Sequence, residues 1–133
     1  MKHQFRFDAD YYDRFYRNTH TRVSEVAETR RLVQFIGSYL RHVEQPVRNI
    51  LDLGCGLGPL KKPLREEFPN ATYLGVEGSA YACERYGFRR GSVIDFKSRH
   101  RFDLVICKGV LQYLTASECE AALDNLGMLC RGA

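Results

Sequence analysis

Apart from one gap bridged by Arg30, apolar residues recur at steps of three and four between positions 22 and 44, which is the spacing of one face of a helix. We expect this helix to be capped by Ser24, with Glu25 and Glu28 in a first turn whose dipole favours acidic side chains. Pro46 then ends the segment, because proline cannot continue a helix. The predicted buried stripe consists of Val23, Val26, Val33, Ile36, Leu40 and Val43.

After Pro46, short apolar runs alternate with amphipathic segments. Strands that alternate with helices form βαβ units, so the predicted fold class is α/β with a doubly wound, mainly parallel sheet. We expect one domain over residues 1–133, with a helical cap at 1–46 and the sheet-bearing core at 47–133. The strands are predicted at 47–53, 72–76, 91–94 and 102–107, and the helices at 60–68, 79–86 and 116–129. The last helix is predicted to bury Cys119, Leu123, Leu126 and Cys130, with Ala122 beside them.

Residues 1–20 combine polar side chains with an unusual number of aromatic rings. Tyr12 and either Phe15 or Tyr16 stand at helical spacing, which predicts a short helix. Two interpretations remain open: a helix packed against the core, or an aromatic lid over a ligand. The rings belong to Phe5, Phe7, Tyr11, Tyr12, Phe15 and Tyr16.

The most informative segment is a strand that runs into three alternating glycines, Gly54, Gly56 and Gly58. Glycine permits a sharp turn and lets a ligand approach the backbone without meeting a Cβ atom. The following helix would present its N-terminal amides to the same crevice. Dinucleotide enzymes use the spacing GxGxxG, but Pro59 stands where their third glycine would be, which argues against a nicotinamide-dependent dehydrogenase.

Acidic side chains follow the next two predicted strands. Glu77, with Gly78 after it, ends the second strand, where a carboxylate can accept hydrogen bonds from both hydroxyls of a ribose. Asp95 follows the third strand and could accept from an adenine amino group, while Ile94 or Phe96 packs against the ring. These residues predict a nucleoside site at the carboxyl edge of the sheet.

The fourth predicted strand is apolar after Asp103, as expected of a central parallel strand, and Asp103 itself is interpreted as structural. It ends at Cys107 and Lys108, which should therefore face the crevice. Residues that could face a substrate are Lys108, Gln112, Tyr113 and Tyr16. The sequence identifies no catalytic residue.

The composition is that of a soluble globular protein, with 44% hydrophobic and 27% charged residues. The five cysteines are odd in number and form no CxxC pair, which argues against a disulfide framework and a zinc site. No apolar run approaches the roughly 18 residues of a membrane span, and the N-terminus has no signal-like segment. We expect a cytoplasmic protein with reduced thiols and no membrane partner.

The net charge of +4 includes one local basic cluster. Such a cluster is either a solvated face or a contact for phosphate or nucleic acid, and the sequence leaves both open. Its members are Arg85, Arg89, Arg90, Lys97, Arg99, His100 and Arg101.

Together the four motifs resemble the class I S-adenosylmethionine-dependent methyltransferases over about residues 22–130. LDLGCGLG is similar to the glycine-rich first motif of that family, YLGVEG to its second, SVIDF to its third and FDLVICKGVLQYL to its fourth. The resemblance implies a Rossmann-like fold, S-adenosylmethionine as cofactor and S-adenosylhomocysteine as product.

The resemblance also implies roles for individual residues. Asp52 would hold the glycine loop or a water molecule, and Cys107 would offer its carbonyl near the amino group of the cofactor. The Asn/Asp-Pro-Pro-Tyr/Phe run of amino-group DNA methyltransferases is absent after the fourth strand, which argues against base methylation but does not identify the acceptor. A small-molecule acceptor is favoured, and nucleic acid stays open. The other implied cofactor contacts are the backbone of Gly54, Cys55 and Gly56, the ribose acid Glu77 and the adenine contact Asp95.

The complete family sheet has seven strands in the order 3-2-1-4-5-7-6, and this chain supplies four strands and the helix that follows. We therefore expect a fold truncated after the fourth strand and its helix. An exposed apolar edge at that strand predicts a homodimer through the edge and the last helix. The alternative function is a non-catalytic cofactor-binding or scaffold module that acts through a partner.

Overall fold

A parallel sheet with helices against both faces forms the centre of the fold. The computed structural model describes residues 6–18 and 26–133. The helices are α1 (Ala9–Tyr12), which continues as a π-helical turn (Asp13–Arg17), α2 (Val26–His42), α3 (Lys61–Glu67), α4 (Ala80–Tyr86) and α5 (Ala116–Leu129), with a 3-10 turn at Leu111–Tyr113. The strands are β1 (Asn49–Leu53), β2 (Thr72–Glu77), β3 (Arg89–Arg90) and β4 (Leu104–Ile106).

The strand order is β3-β2-β1-β4, and every pairing is parallel. Asn49 of β1 lies beside Thr72 of β2, and Ile50 of β1 lies beside Leu104 of β4. This topology confirms the predicted α/β class and the doubly wound parallel sheet. All four strands therefore point their carboxyl ends to one edge, where the predicted site residues lie.

Alternate residues of β1 pack on opposite faces of the sheet. Ile50 joins a core with Val33 and Leu40 of α2 and with Leu64 of α3. On the other face, side chains of the sheet and the loop after β3 pack against α5. That second core consists of Leu51, Leu53, Val76, Val93, Phe96, Phe102, Ala122 and Leu129.

Helix α2 is present, but its predicted stripe is wrong at the described ends. Val26 and Val43 are exposed, because only the middle of the helix lies over the apolar face of β1 and β4. Val23 and the predicted cap at Ser24 lie outside the described residues.

The third strand is displaced from its prediction. Arg89 and Arg90 pair with the end of β2, whereas the predicted strand 91–94 forms a turn. The Ser92 hydroxyl accepts hydrogen bonds from the N–H groups of Ile94 and Asp95, and the Asp95 carboxylate accepts from the Ser92 N–H at 3.0 Å. The short polar side chains of Ser92 and Asp95 thus provide hydrogen-bond partners to the backbone, in place of the partners that a neighbouring strand would supply.

Helix α5 begins and ends as predicted, and a capping box between Thr115 and Glu118 fixes its start. Its predicted buried face is wrong at Leu123, whose side chain is 57% exposed. Asn125 is buried instead, because its amide donates to the carbonyls of Val93 and Phe96 at 2.9 and 3.0 Å. These hydrogen bonds offset the cost of removing the Asn125 amide from water, so a polar residue can occupy the buried face of α5.

The β4 edge is not fully open. The N–H of Phe102 donates to the carbonyl of Leu129, and that of Val105 donates to the carbonyl of Ala133, both at 2.8 Å. The Asp103 carboxylate accepts hydrogen bonds from the Arg48 N–H and from the Arg131 guanidinium. It thus connects the segment around Arg131 to the starts of β1 and β4. The end of the described chain thus runs parallel to β4 and covers the edge over residues 102–105, contrary to the expectation of an exposed edge.

Candidate cofactor-binding site

A cavity of about 600 Å³ opens at the carboxyl ends of the strands. This volume lies within the range of roughly 300 to 1,000 Å³ found for small-molecule sites. The structure brings together eight of the eleven residues predicted from the sequence as cofactor contacts. The eight that line the cavity are Asp52, Gly54, Cys55, Gly56, Glu77, Gly78, Ile94 and Lys108.

The glycine-rich turn forms the floor of this cavity. Gly54 and Gly56 have φ angles of 83° and 59°, a region that other residues adopt only with strain. The N–H groups of Gly54 and Cys55 both donate to the Val76 carbonyl, at 2.8 and 3.1 Å, which fixes the turn against β2. A Cβ atom at Gly54 would also collide with the Val110 side chain, so both conformation and packing require glycine there.

Glu77 lies at the tip of β2 with its carboxylate facing the glycine turn. One carboxylate oxygen accepts from the Gly56 N–H, and the other accepts from the N–H groups of Gly78 and Ser79, at 2.7 and 3.3 Å. Glu77 is buried, and these backbone donors hold the carboxylate in one orientation at the wall of the cavity. Each oxygen retains acceptor capacity for a ligand hydroxyl.

Asp52 is buried beneath the turn and does not bond to the glycine loop in this structure. Its carboxylate accepts from the Tyr73 hydroxyl at 2.7 Å. Burial raises the pKa of Asp52 to about 6, although the Tyr73 hydrogen bond and the charge of Lys108 act in the opposite direction. The Asp52 carboxyl therefore titrates close to neutral pH at the bottom of the cavity.

Three predicted contacts do not line the cavity. Asp95 is exposed and bonds within its own turn, which lowers the pKa of its carboxyl. Phe96 is buried in the core, and Cys107 packs against that same core without lining the cavity. Ser92 lines the cavity in this region and was not anticipated, because its position depends on the turn that replaces the predicted strand.

Residues 6–18 cover one side of the cavity with aromatic rings. The Tyr11 and Tyr113 hydroxyls are 2.8 Å apart, and the Phe7 ring contacts both tyrosine rings edge-on. The Ser79 hydroxyl donates to the Phe7 carbonyl at 2.6 Å, so the segment is tied to the start of α4. The short helix predicted here is present, and Tyr12 is buried, as expected of a helix packed against the core. Phe7, Tyr11, Tyr12 and Tyr16 line the cavity, and the lid over a ligand stays a prediction.

Other side chains complete the wall on this side. Tyr16, Lys108, Gln112 and Tyr113 all line the cavity, as the sequence suggested for a substrate-facing surface. Thr29 of α2 was missed, because nothing in the sequence shows that the start of this helix reaches the site.

Burial raises the pKa of the Cys55 thiol, and that of Cys107 to about 11. Both thiols are therefore protonated at neutral pH, which makes them packing groups rather than nucleophiles.

Within residues 6–18 and 26–133, no group of three or more potential ligand side chains is placed to hold a metal ion. In the same part of the chain, no helix has the length and apolarity needed to cross a bilayer.

Residues 51–132 match a family model described as a methyltransferase domain. A curated relative, the trans-aconitate 2-methyltransferase of Deinococcus radiodurans, is 33% identical over an alignment of 79 residues that covers 53% of this chain and 30% of the relative.

Solved structures share the fold. The S-adenosylmethionine-bound amino pentose methyltransferase CalS10 of Micromonospora echinaspora superposes with a TM-score of 0.63 at 22% identity, over 77% of this chain and 47% of that one. An S-adenosylmethionine-dependent methyltransferase of Clostridium acetobutylicum gives a TM-score of 0.66 at 18% identity, over 92% and 52%. The chain thus spans about half the length of these structures. The family match covers most of the chain and includes the glycine turn and the acid after β2, so this protein belongs to the class I S-adenosylmethionine-dependent methyltransferases.

Proposed function

We propose that this chain binds S-adenosylmethionine in the cavity described above and supports methyl transfer to a small-molecule acceptor. The observation that carries the proposal is the Glu77 carboxylate, which backbone N–H groups hold against the glycine turn. An acid in this position suits the two hydroxyls of a ribose. Among the described residues, two carboxylates line the cavity, Asp52 and Glu77, and of these Glu77 is the one that ends its strand.

The residues present fit such a cofactor. The backbone of Gly54, Cys55 and Gly56 would lie along the methionine part, because all three residues line the cavity and the two glycines carry no side chain of their own. Ile94 would pack against the adenine ring, whereas Asp95 does not line the cavity and is bonded within its own turn. The bound cofactor would supply an electrophilic methyl group.

The acceptor is proposed to enter on the side walled by aromatic rings. Tyr11 and Tyr16 are half-buried, and burial raises the pKa of both hydroxyls, so they are uncharged hydrogen-bonding groups at neutral pH. Lys108 adds one exposed cation to the same wall. The chain's part in the reaction would be to orient the acceptor and to exclude water, which are the main requirements of an in-line transfer.

The experiment that tests this proposal is calorimetric titration with S-adenosylhomocysteine. We expect saturable binding that weakens at least about tenfold in Glu77→Gln, because the amide loses one charged acceptor and places an N–H group against backbone donors. Glu66→Gln on the exposed face of α3 is the matched control and should bind like the parent chain.

Thermal melting of each variant shows whether it is folded. Equal affinity of the folded Glu77→Gln variant and the parent chain would contradict the proposed ribose contact. Saturable cofactor binding with no methyl transfer to any small carboxylate or amine would instead favour the non-catalytic module.

A further inference from the structure

A second, basic cavity lies apart from the cofactor site. We call it the basic groove; it has a volume of about 510 Å³ and is lined by Arg89, Lys97, Ser98, Arg99 and His100. Three of its five residues carry permanent positive charge at neutral pH, and a fourth is a histidine. It shares no lining residue with the cofactor cavity.

Two of these cations are held in place by the protein. The Lys97 ammonium donates to the side-chain oxygen of Asn125 at 2.9 Å, and Asn125 is itself buried and bonded to backbone carbonyls. The Arg89 guanidinium lies over the ring of Phe96, 5.4 Å from its centroid. Both anchors leave N–H donors that can turn to a ligand, because an ammonium has three and a guanidinium five.

The cations of the basic groove are not neutralised by ion pairs within residues 6–18 and 26–133. None of the ion pairs in that part of the chain includes Arg89, Lys97, Arg99 or His100. The charge of Lys97 reaches the Asp95 carboxylate, which is bonded within its own turn. The groove therefore carries a net positive field.

Protection of a sheet edge explains only part of this charge. Arginine on an edge strand discourages pairing with another chain, which accounts for Arg89 and Arg90 on β3. Lys97, Arg99 and His100 lie on the loop between the 91–96 turn and β4, where no strand edge needs protection. β3 and β4 lie at opposite sides of the sheet, and the residues around Cys130 run beside β4. The groove is therefore also remote from that segment.

We propose that the basic groove binds the phosphate group of a small molecule, either free phosphate or a phosphorylated organic compound. Phosphate fits because arginine and lysine donors converge on one concave site, and charge-assisted bonds to phosphate oxygens are the strong ones. The volume exceeds that of a single phosphate and is ample for an organic phosphate. This inference is independent of the proposed methyl transfer.

The test is titration of the full chain with pyrophosphate at low ionic strength, followed by calorimetry. We expect one saturable site whose affinity falls about tenfold in Arg99→Ala, because one charge-assisted contact is lost. Lys62→Ala removes the same charge from the exposed face of α3 and should leave the affinity unchanged. S-adenosylhomocysteine affinity and the melting temperature of Arg99→Ala should match those of the parent chain.

Separate titrations with inorganic phosphate and with a sugar phosphate distinguish free phosphate from an organic phosphate as the ligand. Tighter binding of a sugar phosphate than of inorganic phosphate would identify an organic phosphate, and equal binding would identify the free ion. Equal losses in Arg99→Ala and Lys62→Ala would overturn the proposal, since only general electrostatics would then act. A second result would also overturn it: pyrophosphate binding that does not saturate, together with oligonucleotide affinity that increases with oligonucleotide length. That result would indicate a nucleic-acid surface.

Discussion

At the scale of single residues, the cofactor cavity combines two carboxylates in different environments. Glu77 receives three backbone N–H donors, whereas Asp52 is 1% exposed and has the Tyr73 hydroxyl as its donor. Desolvation outweighs that single hydrogen bond and raises the pKa of Asp52 to about 6. Asp52 should therefore affect stability as well as the shape of the cavity.

The pH dependence of stability tests this assignment. The ordinary pKa of an aspartate is near 3.8, so between pH 4 and 6 the folded chain binds more protons at Asp52 than the unfolded chain. Stability contributed by this residue is thus greatest below pH 4 and falls as pH rises through 6. We expect Asp52→Asn to gain stability relative to the parent chain over this window, by at most about 3 kcal/mol. Denaturant unfolding at several pH values measures the gain.

A matched control is Asp124→Asn on the exposed face of α5. Its stability curve should run parallel to that of the parent chain across the same pH range. If the Asp52→Asn curve does the same, the raised pKa of Asp52 is wrong.

At the scale of elements, the segment 6–18 is held to the body through side-chain hydroxyls rather than through a sheet. The Tyr11–Tyr113 pair connects it to the 3-10 turn after β4, and Arg17 donates to the Tyr81 and Tyr86 hydroxyls on α4 at 2.8 and 2.7 Å. These hydrogen bonds attach the cavity-lining segment to two separate elements, the 3-10 turn and α4. Their strength therefore decides how firmly the aromatic wall stays in place.

We expect Tyr113→Phe to weaken S-adenosylhomocysteine binding by roughly two- to tenfold, because one hydroxyl pair contributes about 0.5–1.5 kcal/mol. Limited proteolysis should cut within residues 6–18 faster in this variant than in the parent chain. Tyr39→Phe, on the exposed face of α2, is the control and should change neither property. Identical behaviour of the two variants would refute a closing role for the Tyr11–Tyr113 pair.

At the scale of the whole molecule, the arrangement at β4 bears on self-association. The described chain covers the edge over residues 102–105, which reduces the surface available for strand pairing. Leu123 and Met128 remain exposed on the neighbouring helix α5, at 57% and 65%. A homodimer through this side of the sheet would then rest mainly on the helix.

Light scattering across a range of concentrations tests that dimer. We expect a dimer fraction that rises with concentration and falls in the double variant Leu123→Ser/Met128→Ser, because apolar area is lost from the interface. Phe35→Ser removes a comparably exposed apolar side chain from α2 and should leave the dimer fraction unchanged. A monomer at every concentration would rule out the dimer.

The sequence by itself determined the features whose physics is local. Glycines at alternate positions predicted the turn that follows β1, because glycine permits the positive φ angles found at Gly54 and Gly56 without strain. The alternation of strand and helix periods predicted the parallel order, and the acid after β2 predicted the carboxylate at the cavity wall. The family resemblance rested on these motifs and was confirmed.

Only the tertiary structure decided which amphipathic positions are buried. Leu123 is exposed and Asn125 is buried, because the hydrogen-bond partners of that amide come from a turn about 30 residues away in sequence. The aromatic segment became a cavity wall, and the Asp52 carboxyl acquired a raised pKa, for the same reason. Burial and desolvation depend on what the whole chain places around a residue, and periodicity along the sequence carries no such information.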